Sequence, residues 1–308
     1  MKFVQILILL GLFVFESIAQ KPISRTANTV GLISFTDNSK PGNEGFGTGT
    51  LMAMPISDKQ AGIFLVTNKH VLPTKAQNDS IHFRLRNLKS NPPTHFDLAI
   101  PIFDKSGKFN FRVQVDPDGN DLVVINVSDF FNRNKNLEYL TENMFTTSFL
   151  IRRDSMERAK IDLGDEVIFI GFPNILYNKK NFSPIVRTGI IATEPSQDYY
   201  FNDIYRNNYF IKSGEVIPER LAGFLIDANV FNGSSGSIVF TKPRHLSVEP
   251  DGRLTYFVDP DGDIRVLGIL TTSYFDFNSP MADRLQLGGV ISADQILKTI
   301  DLYVSLHK

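Results

Sequence analysis

The sequence predicts an all-β chain: two six-stranded antiparallel β-barrels closed by one C-terminal α-helix. Three observations carry this. Short runs rich in β-branched and aromatic residues recur along the whole chain. Turn clusters such as DKSGK at 104–108 and PDGN at 117–120 separate them, with no helical segment between consecutive runs. The apolar period changes to that of a helix only at the end.

The elements follow in order. Residues 1–19 have the layout of a secretory signal peptide. Lys2 precedes an apolar run from Ile6 to Phe15, and Ser17 and Ala19 occupy the −3 and −1 positions of a cleavage site after Ala19. That run is well short of the ~20 residues of a spanning helix. The expectation is export to the periplasm or the extracellular space, with no membrane attachment after cleavage. TVGLISF (29–35), IFLVTN (63–68), IHFRLRNL (81–88), FDLAIPIF (96–103), FNFRVQV (109–115) and LVVINV (122–127) read as the strands of a first barrel, spanning 25–135. Residues 131–160 are polar and Asn-rich at their start, with no clean period, so 136–160 is read as a crossover. EVIFIGF (166–172), IVRTGIIAT (185–193), FLIDANV (224–230), SIVF (237–240), LTYFV (254–258) and IRVLGILTTSY (264–274) supply a second barrel within 161–308. The tripeptide PDG recurs at 117–119, 250–252 and 260–262 and reads as hairpin turns. Ser292-Ala-Asp-Gln295 is a capping-box pattern, and Ile296, Leu297 and Ile300 give one apolar helical face.

Composition narrows the function. Among 308 residues, 32 Lys+Arg against 33 Asp+Glu leave a net charge of −1, which provides no electrostatic footprint for nucleic acid. The absence of cysteine excludes disulfides, thiolate metal sites and a cysteine nucleophile. His82, His95, His245 and His307 are scattered without metal-ligand spacing, so neither metal nor cofactor is predicted.

Three motifs point to chemistry. GFGTGTLMAM (45–54) and then IFLVTNKHVL (63–72) place His70 just after an apolar strand. PDGNDLVVINV (117–127) places Asp121 at the start of another, and NGSSGSIVF (232–240) places Ser235 in a glycine-lined turn. Asp97, in HFDLAIPIF, is the alternative acid, because it too precedes an apolar run and lies closer to His70 in the chain. Ser234 is the alternative register of the nucleophile, with its side chain expected at the surface.

These motifs resemble the chymotrypsin-like (trypsin-fold) serine proteases, in their bacterial trypsin-like, HtrA-type branch. The resemblance extends to LGDEVIFIGFP (163–173), TGIIAT (188–193), the pair Asp227-Ala228, VLGILTT (266–272) and the closing GGVISADQILKTI (288–300), all in the family's order. It implies two chymotrypsin-like barrels and an exported serine endopeptidase acting on polypeptide through His70, Asp121 and Ser235. A serine hydroxyl is a poor nucleophile near neutral pH and needs an adjacent base. A histidine ring supplies it, and a carboxylate fixes the ring's tautomer. The resemblance further implies an oxyanion hole of the Gly233 and Ser235 backbone amides. It puts Asn229 at the base of the specificity pocket, and Leu270, Thr271 and Thr272 at the edge that pairs with an extended substrate. The turn reads GSSGS, with Ser237 where many members have Gly, and no peptide-binding (PDZ) module is recognised after the last helix. The rival expectation is a catalytically inactive protein of this fold that binds extended peptides in the same cleft.

Overall fold

The computed structural model describes residues 22–307, apart from 41, 58–59, 92–93, 214–215, 243–245, 249–253, 257–263 and 276–283. The signal-peptide expectation and the PDG turns at 250–252 and 260–262 fall wholly or mainly outside these residues.

A short helix, α1 (Pro22–Ala27), leads into β1 (Val30–Thr36), β2 (Glu44–Ser57), β3 (Gln60–Thr67), β4 (Ser80–Asn87), β5 (Thr94–Pro101), β6 (Val113–Val115) and β7 (Val123–Asn126). These seven form one antiparallel sheet in the order β5-β4-β1-β2-β3-β7-β6. The GFGTGTLMAM stretch, read above as a motif, supplies the additional strand β2. α2 (Ser128–Arg133) ends the first half, and the stretch read as a crossover is taken up by two 3-10 segments, Lys135–Asn143 and Arg153–Ser155. Such tight turns fit a stretch without a helical period. Then come β8 (Glu166–Gly171), β9 (Ile185–Ile191), β10 (Tyr199–Tyr200), α3 (Asp203–Ser213), β11 (Arg220–Leu221), β12 (Gly223–Asp227), β13 (Ile238–Thr241), β14 (Leu246–Val248), β15 (Leu254–Tyr256), β16 (Val266–Phe275), β17 (Arg284–Ser292) and α4 (Ala293–Leu306). A closed barrel runs β12-β17-β16-β13-β8-β9, and β14 and β15 form a separate hairpin.

The burial pattern explains why several strands read as continuous apolar runs. In a strand successive side chains face opposite ways, so a strand covered on both sides is apolar throughout. Leu65 packs in the interior of the first half, whereas its neighbours Phe64 and Val66 join the cluster between the halves. Phe169 and Val239 likewise face the interior of the second barrel, while Ile168, Ile170, Ile238 and Phe240 face the first half. β3, β8 and β13 are therefore among the strands on which the halves meet, together with β1, β2, β7 and β16, which supply Val30, Met52, Val124 and Val266 to the same cluster. β5 instead alternates exposed and buried positions with Leu98 and Ile100 inward, as befits the outer strand of its sheet.

Helix α4 buries Ile296, Leu297, Ile300, Tyr303 and Val304, and the Tyr303 ring packs edge-on against Phe64 with centroids 5.4 Å apart. A helix that follows the last strand of the second barrel is thus seated on the first half. The capping box does not form. Ser292 makes no side-chain capping bond, and its hydroxyl accepts instead from Arg153 Nη2 at 3.0 Å. Two other elements differ from expectation. Only Val113–Val115 of FNFRVQV is strand, because Asn110 Oδ1 accepts the Arg112 N–H and turns the chain there. Helix α3 went unread in the sequence; it leaves Ile204, Phe210 and Ile211 exposed and buries Tyr209, so it has no regular apolar stripe to detect.

Candidate active site

His70 lies in a single 3-10 turn, Lys69–Val71, directly after β3. The turn is anchored by Val71, which is buried and packs beside Gly47 of β2. Asp121 ends a tight turn whose Gly119 has φ +80°, just before β7, the strand paired with β3. Two paired strands therefore deliver the imidazole and the carboxylate side by side. Asp121 Oδ2 lies 2.5 Å from His70 Nδ1, and Asp121 Oδ1 accepts the His70 backbone N–H at 2.9 Å. Asn68 Nδ2 holds the Asp121 carbonyl at 2.7 Å. Two bonds from one carboxylate to one residue fix the ring plane as well as its position. With Nδ1–H donated to the carboxylate, Nε2 is the nitrogen left to accept a proton. The carboxylate is not sealed off, since the Asp121 side chain is 34% exposed.

The second barrel brings Thr271 of β16 to the same carboxylate. Its Oγ1 donates to Asp121 Oδ2 at 2.7 Å, and its carbonyl accepts the Ser235 hydroxyl at 2.9 Å. Ser235 thus bonds to Thr271 in this structure and not to His70, although both line one cavity of about 1400 Å³ between the halves. Sequence reasoning placed Thr271 at a substrate-pairing edge and missed its hydroxyl on Asp121. Nothing in VLGILTT marks one threonine as a carboxylate partner.

The serine turn is built on two glycines. Gly233 and Gly236 both have φ +85°, where a Cβ is strained. A Cβ on Gly236 would lie 1.9 Å from the Thr48 carbonyl oxygen. Thr48 itself, in the GTG of β2, bolts the turn to the first half. Its N–H donates to the Ser235 carbonyl at 2.8 Å, its hydroxyl donates to the Gly233 carbonyl at 2.7 Å, and that hydroxyl accepts the Phe172 N–H at 3.0 Å. The N–H groups of Ser234, Gly236 and Ser237 are consumed by Phe231, Leu270 and Ser234 carbonyls. Those of Gly233 and Ser235 donate to no acceptor among the described residues. The Asn232 carbonyl is held by the Asn174 N–H at 2.6 Å, which turns the Gly233 N–H of that trans peptide the opposite way. Asn174 (φ 49°) and Ile175 (φ 60°) both sit in the left-handed region, so a strained stretch supplies that hold.

The remaining sequence candidates separate as follows. Asp97 lies away from His70. It pairs with His82 Nδ1 at 2.8 Å and Arg84 Nε at 3.1 Å. Burial pushes the Asp97 carboxyl up, but the bonds from His82 and Arg84 outweigh it and leave it below the usual carboxylate value. Ser234, expected at the surface, is buried at 1% exposure. It points inward because the positive φ on either side folds the turn around it. Asn229 is exposed and does not line the cavity; Val230 and Phe231 do. Leu270 is a core residue whose N–H and C=O already bond Ser237 and Gly236, so it braces the turn and offers no free edge. Thr272 lines the cavity beside Thr271. The cavity lining also includes the apolar Val216, Ile217 and Leu221, and Tyr274, which is buried with its hydroxyl pushed up by desolvation. Among the described residues no group of three or more His, Asp or Glu side chains is arranged to hold a metal ion.

No family model and no curated protein matches the sequence. Solved structures do. An HtrA-type protease, AlgW, solved with a tripeptide, superposes with a TM-score of 0.50 at 18% identity over 94% of this chain, which spans 64% of the length of that one. The active form of the Rv3671c protease from M. tuberculosis (TM-score 0.46, 15% identity, 92% of this chain and 84% of that one) and the protease Anisep from Arthrobacter nicotinovorans (TM-score 0.45, 13% identity, 91% and 97%) are also matched. With its closed six-stranded barrel, its second large antiparallel sheet and its C-terminal helix, the chain has the trypsin-like fold seen in the HtrA-type proteases.

Proposed function

We propose that this protein is an exported serine endopeptidase that cleaves polypeptide through an acyl-enzyme on Ser235. The observation that carries the reading is the His70–Asp121 pair at 2.5 Å, in one cavity with a serine whose turn leaves two backbone N–H groups without an acceptor among the described residues. Ser235 Oγ leaves the Thr271 carbonyl by rotation about its χ1 and gives its proton to His70 Nε2 as it attacks the scissile carbonyl carbon. The Gly233 and Ser235 N–H groups bond the oxyanion that forms, where loss of one donor costs about 10²–10³ in rate. Asp121 stabilises the imidazolium, and His70 returns the proton to the leaving amine. Water, activated by the same imidazole, then hydrolyses the ester and restores Ser235. The freed Thr271 carbonyl becomes an acceptor for the backbone of an extended substrate. Substrate, like export, belongs to the proposal; the HtrA-type protease AlgW was solved with a tripeptide, which is in keeping with it.

A second reading has its own support. Because Ser235 donates to Thr271 and not to His70, the chain would be a peptide-binding pseudoprotease if that bond never yields. A fluorophosphonate probe separates the two. Labelling of the wild type but not of Ser235→Ala supports the hydrolase. Absence of labelling across pH and in the presence of peptides leaves the binding protein.

A further inference from the structure

The turn that carries Asp121 is clamped by the far half of the molecule. Residues 116–120 wrap around the Asp116 carboxylate, whose Oδ1 accepts from Asp118 N at 2.8 Å, Asn120 N at 3.2 Å and Asn120 Nδ2 at 2.9 Å. Asp116 is buried at 4% exposure, so its other oxygen also needs a donor. Helix α4 supplies it. The fully buried Thr299 hydroxyl lies 3.2 Å from Asp116 Oδ2 and 2.7 Å from the Gln295 carbonyl, so its one proton is shared between these two acceptors. Lys298 Nζ straddles the Asp118 carboxylate at 2.7 and 2.6 Å. The Gln295 amide, turned so that its nitrogen faces the acids, donates to Asp116 Oδ2 at 3.1 Å and Asp118 Oδ2 at 3.2 Å. Asp118, Gly119, Asn120 and Asp121 are themselves a wall of the cavity.

We infer that Gln295, Lys298 and Thr299 of the C-terminal helix are positioning residues for the Asp121–His70 pair. The physical reason is geometric. Seven residues, 116–122, join β6 to β7, and the bonds around Asp116 hold the turn's own shape without setting where it points, yet the carboxylate of Asp121 must meet both His70 and Thr271, which come from different halves. Fixing Asp116 and Asp118 from α4 sets where the turn can deliver Asp121. α4 is seated on the first half and follows directly from β17, which pairs with β16, the strand that carries Thr271. The clamp therefore ties the geometry of the pair to the seating of the second barrel on the first half. It also explains why Gln295 forgoes its capping role: its amide is engaged by the turn. The inference rests on the hydrolase reading above, and its test keeps the two apart.

The experiment compares wild type, Lys298→Met/Thr299→Val and the conservative pair Lys298→Arg/Thr299→Ser. Three readouts apply: the fluorophosphonate labelling rate, the deshielded proton NMR signal of the His70–Asp121 hydrogen bond, and thermal melting. The probe reacts at Ser235, so its rate reports the state of Ser235 and His70 and not the contacts of a long peptide along the cavity. The disruptive pair is expected to label about 10–100-fold more slowly, the scale of a displacement of about 1 Å at a reacting group. Its His70–Asp121 signal is expected to shift or broaden, and the conservative pair to recover most of both. Lys298→Met alone, at an exposed ion pair, guards against misfolding, since its melting temperature should stay within about 4 °C of wild type. Labelling at the wild-type rate by the folded disruptive pair overturns the inference. If wild type itself fails to label, the hydrolase reading falls, and the clamp is judged on the NMR signal alone: an unchanged signal in the disruptive pair overturns it.

Discussion

Asp121→Asn is the substitution on which the assignment of the acid is most exposed. The carboxylate accepts three bonds, from the His70 N–H (2.9 Å), His70 Nδ1 (2.5 Å) and Thr271 Oγ1 (2.7 Å). An amide keeps one oxygen and gains an NH₂. If the oxygen keeps the His70 backbone N–H, as Oδ1 does in the wild type, the NH₂ takes the place of Oδ2 beside Nδ1 and the Thr271 hydroxyl, and donates to Nδ1. The ring then carries its proton on Nε2 and cannot accept one from Ser235. The fold is left largely intact, because the group changes neither size nor shape and is 34% exposed. A tautomer of the wrong kind costs about 10⁴ in kcat, or about 5.5 kcal/mol of transition-state stabilisation. The assay is the labelling rate and ester hydrolysis of Asp121→Asn beside Asp97→Asn, with melting curves for both. Asp97→Asn is expected to keep wild-type activity, since that acid serves His82 and Arg84. Full activity in Asp121→Asn, or loss of activity confined to Asp97→Asn, would refute the reasoning.

Three further outcomes follow from the same geometry. Gly236→Ala combines φ +85° with a Cβ 1.9 Å from a backbone oxygen, and is expected to cost at least about 3 kcal/mol and abolish labelling; a stable, labelled variant would show that the turn can rearrange. Thr48→Val keeps the volume but leaves the Phe172 N–H and the Gly233 carbonyl without that hydroxyl. Loss of about 2–4 kcal/mol in denaturant unfolding is expected, together with slower labelling. The Asp97 carboxyl lies below its ordinary value in the fold, so its stabilising effect is present above about pH 4 and is lost as pH falls through the lowered value. The difference in melting temperature between wild type and Asp97→Asn should therefore shrink on acidification below about pH 4, and a difference that grows there would contradict the pairing.

The sequence determined what local chemistry can encode. Alternating and continuous apolar runs located the main strands, because burial on one face or two writes itself directly into residue type. Glycines at 233 and 236 marked the serine turn, because only they tolerate its backbone. His70 and Ser235 stand out from their settings, and Asp121 is preferred to Asp97 because its run is the more strand-like and follows a PDG turn. What the sequence could not supply was anything decided between distant segments. Helix α3 lacks an apolar stripe, so it went unread. Gln295 looked like a capping residue because a local pattern is silent about the Asp116 and Asp118 carboxylates nearby. Asn229 and Leu270 were placed by analogy, and only packing put the first outside the cavity and the second in the core. Tertiary structure alone decided that Thr271 serves Asp121, that Thr48 bolts the serine turn, and that Ser235 rests on the Thr271 carbonyl. The reason is physical: a strand or turn needs only its own residues to be recognised, whereas a hydrogen bond between segments tens to well over a hundred residues apart exists only once the second barrel has closed and the two halves have met.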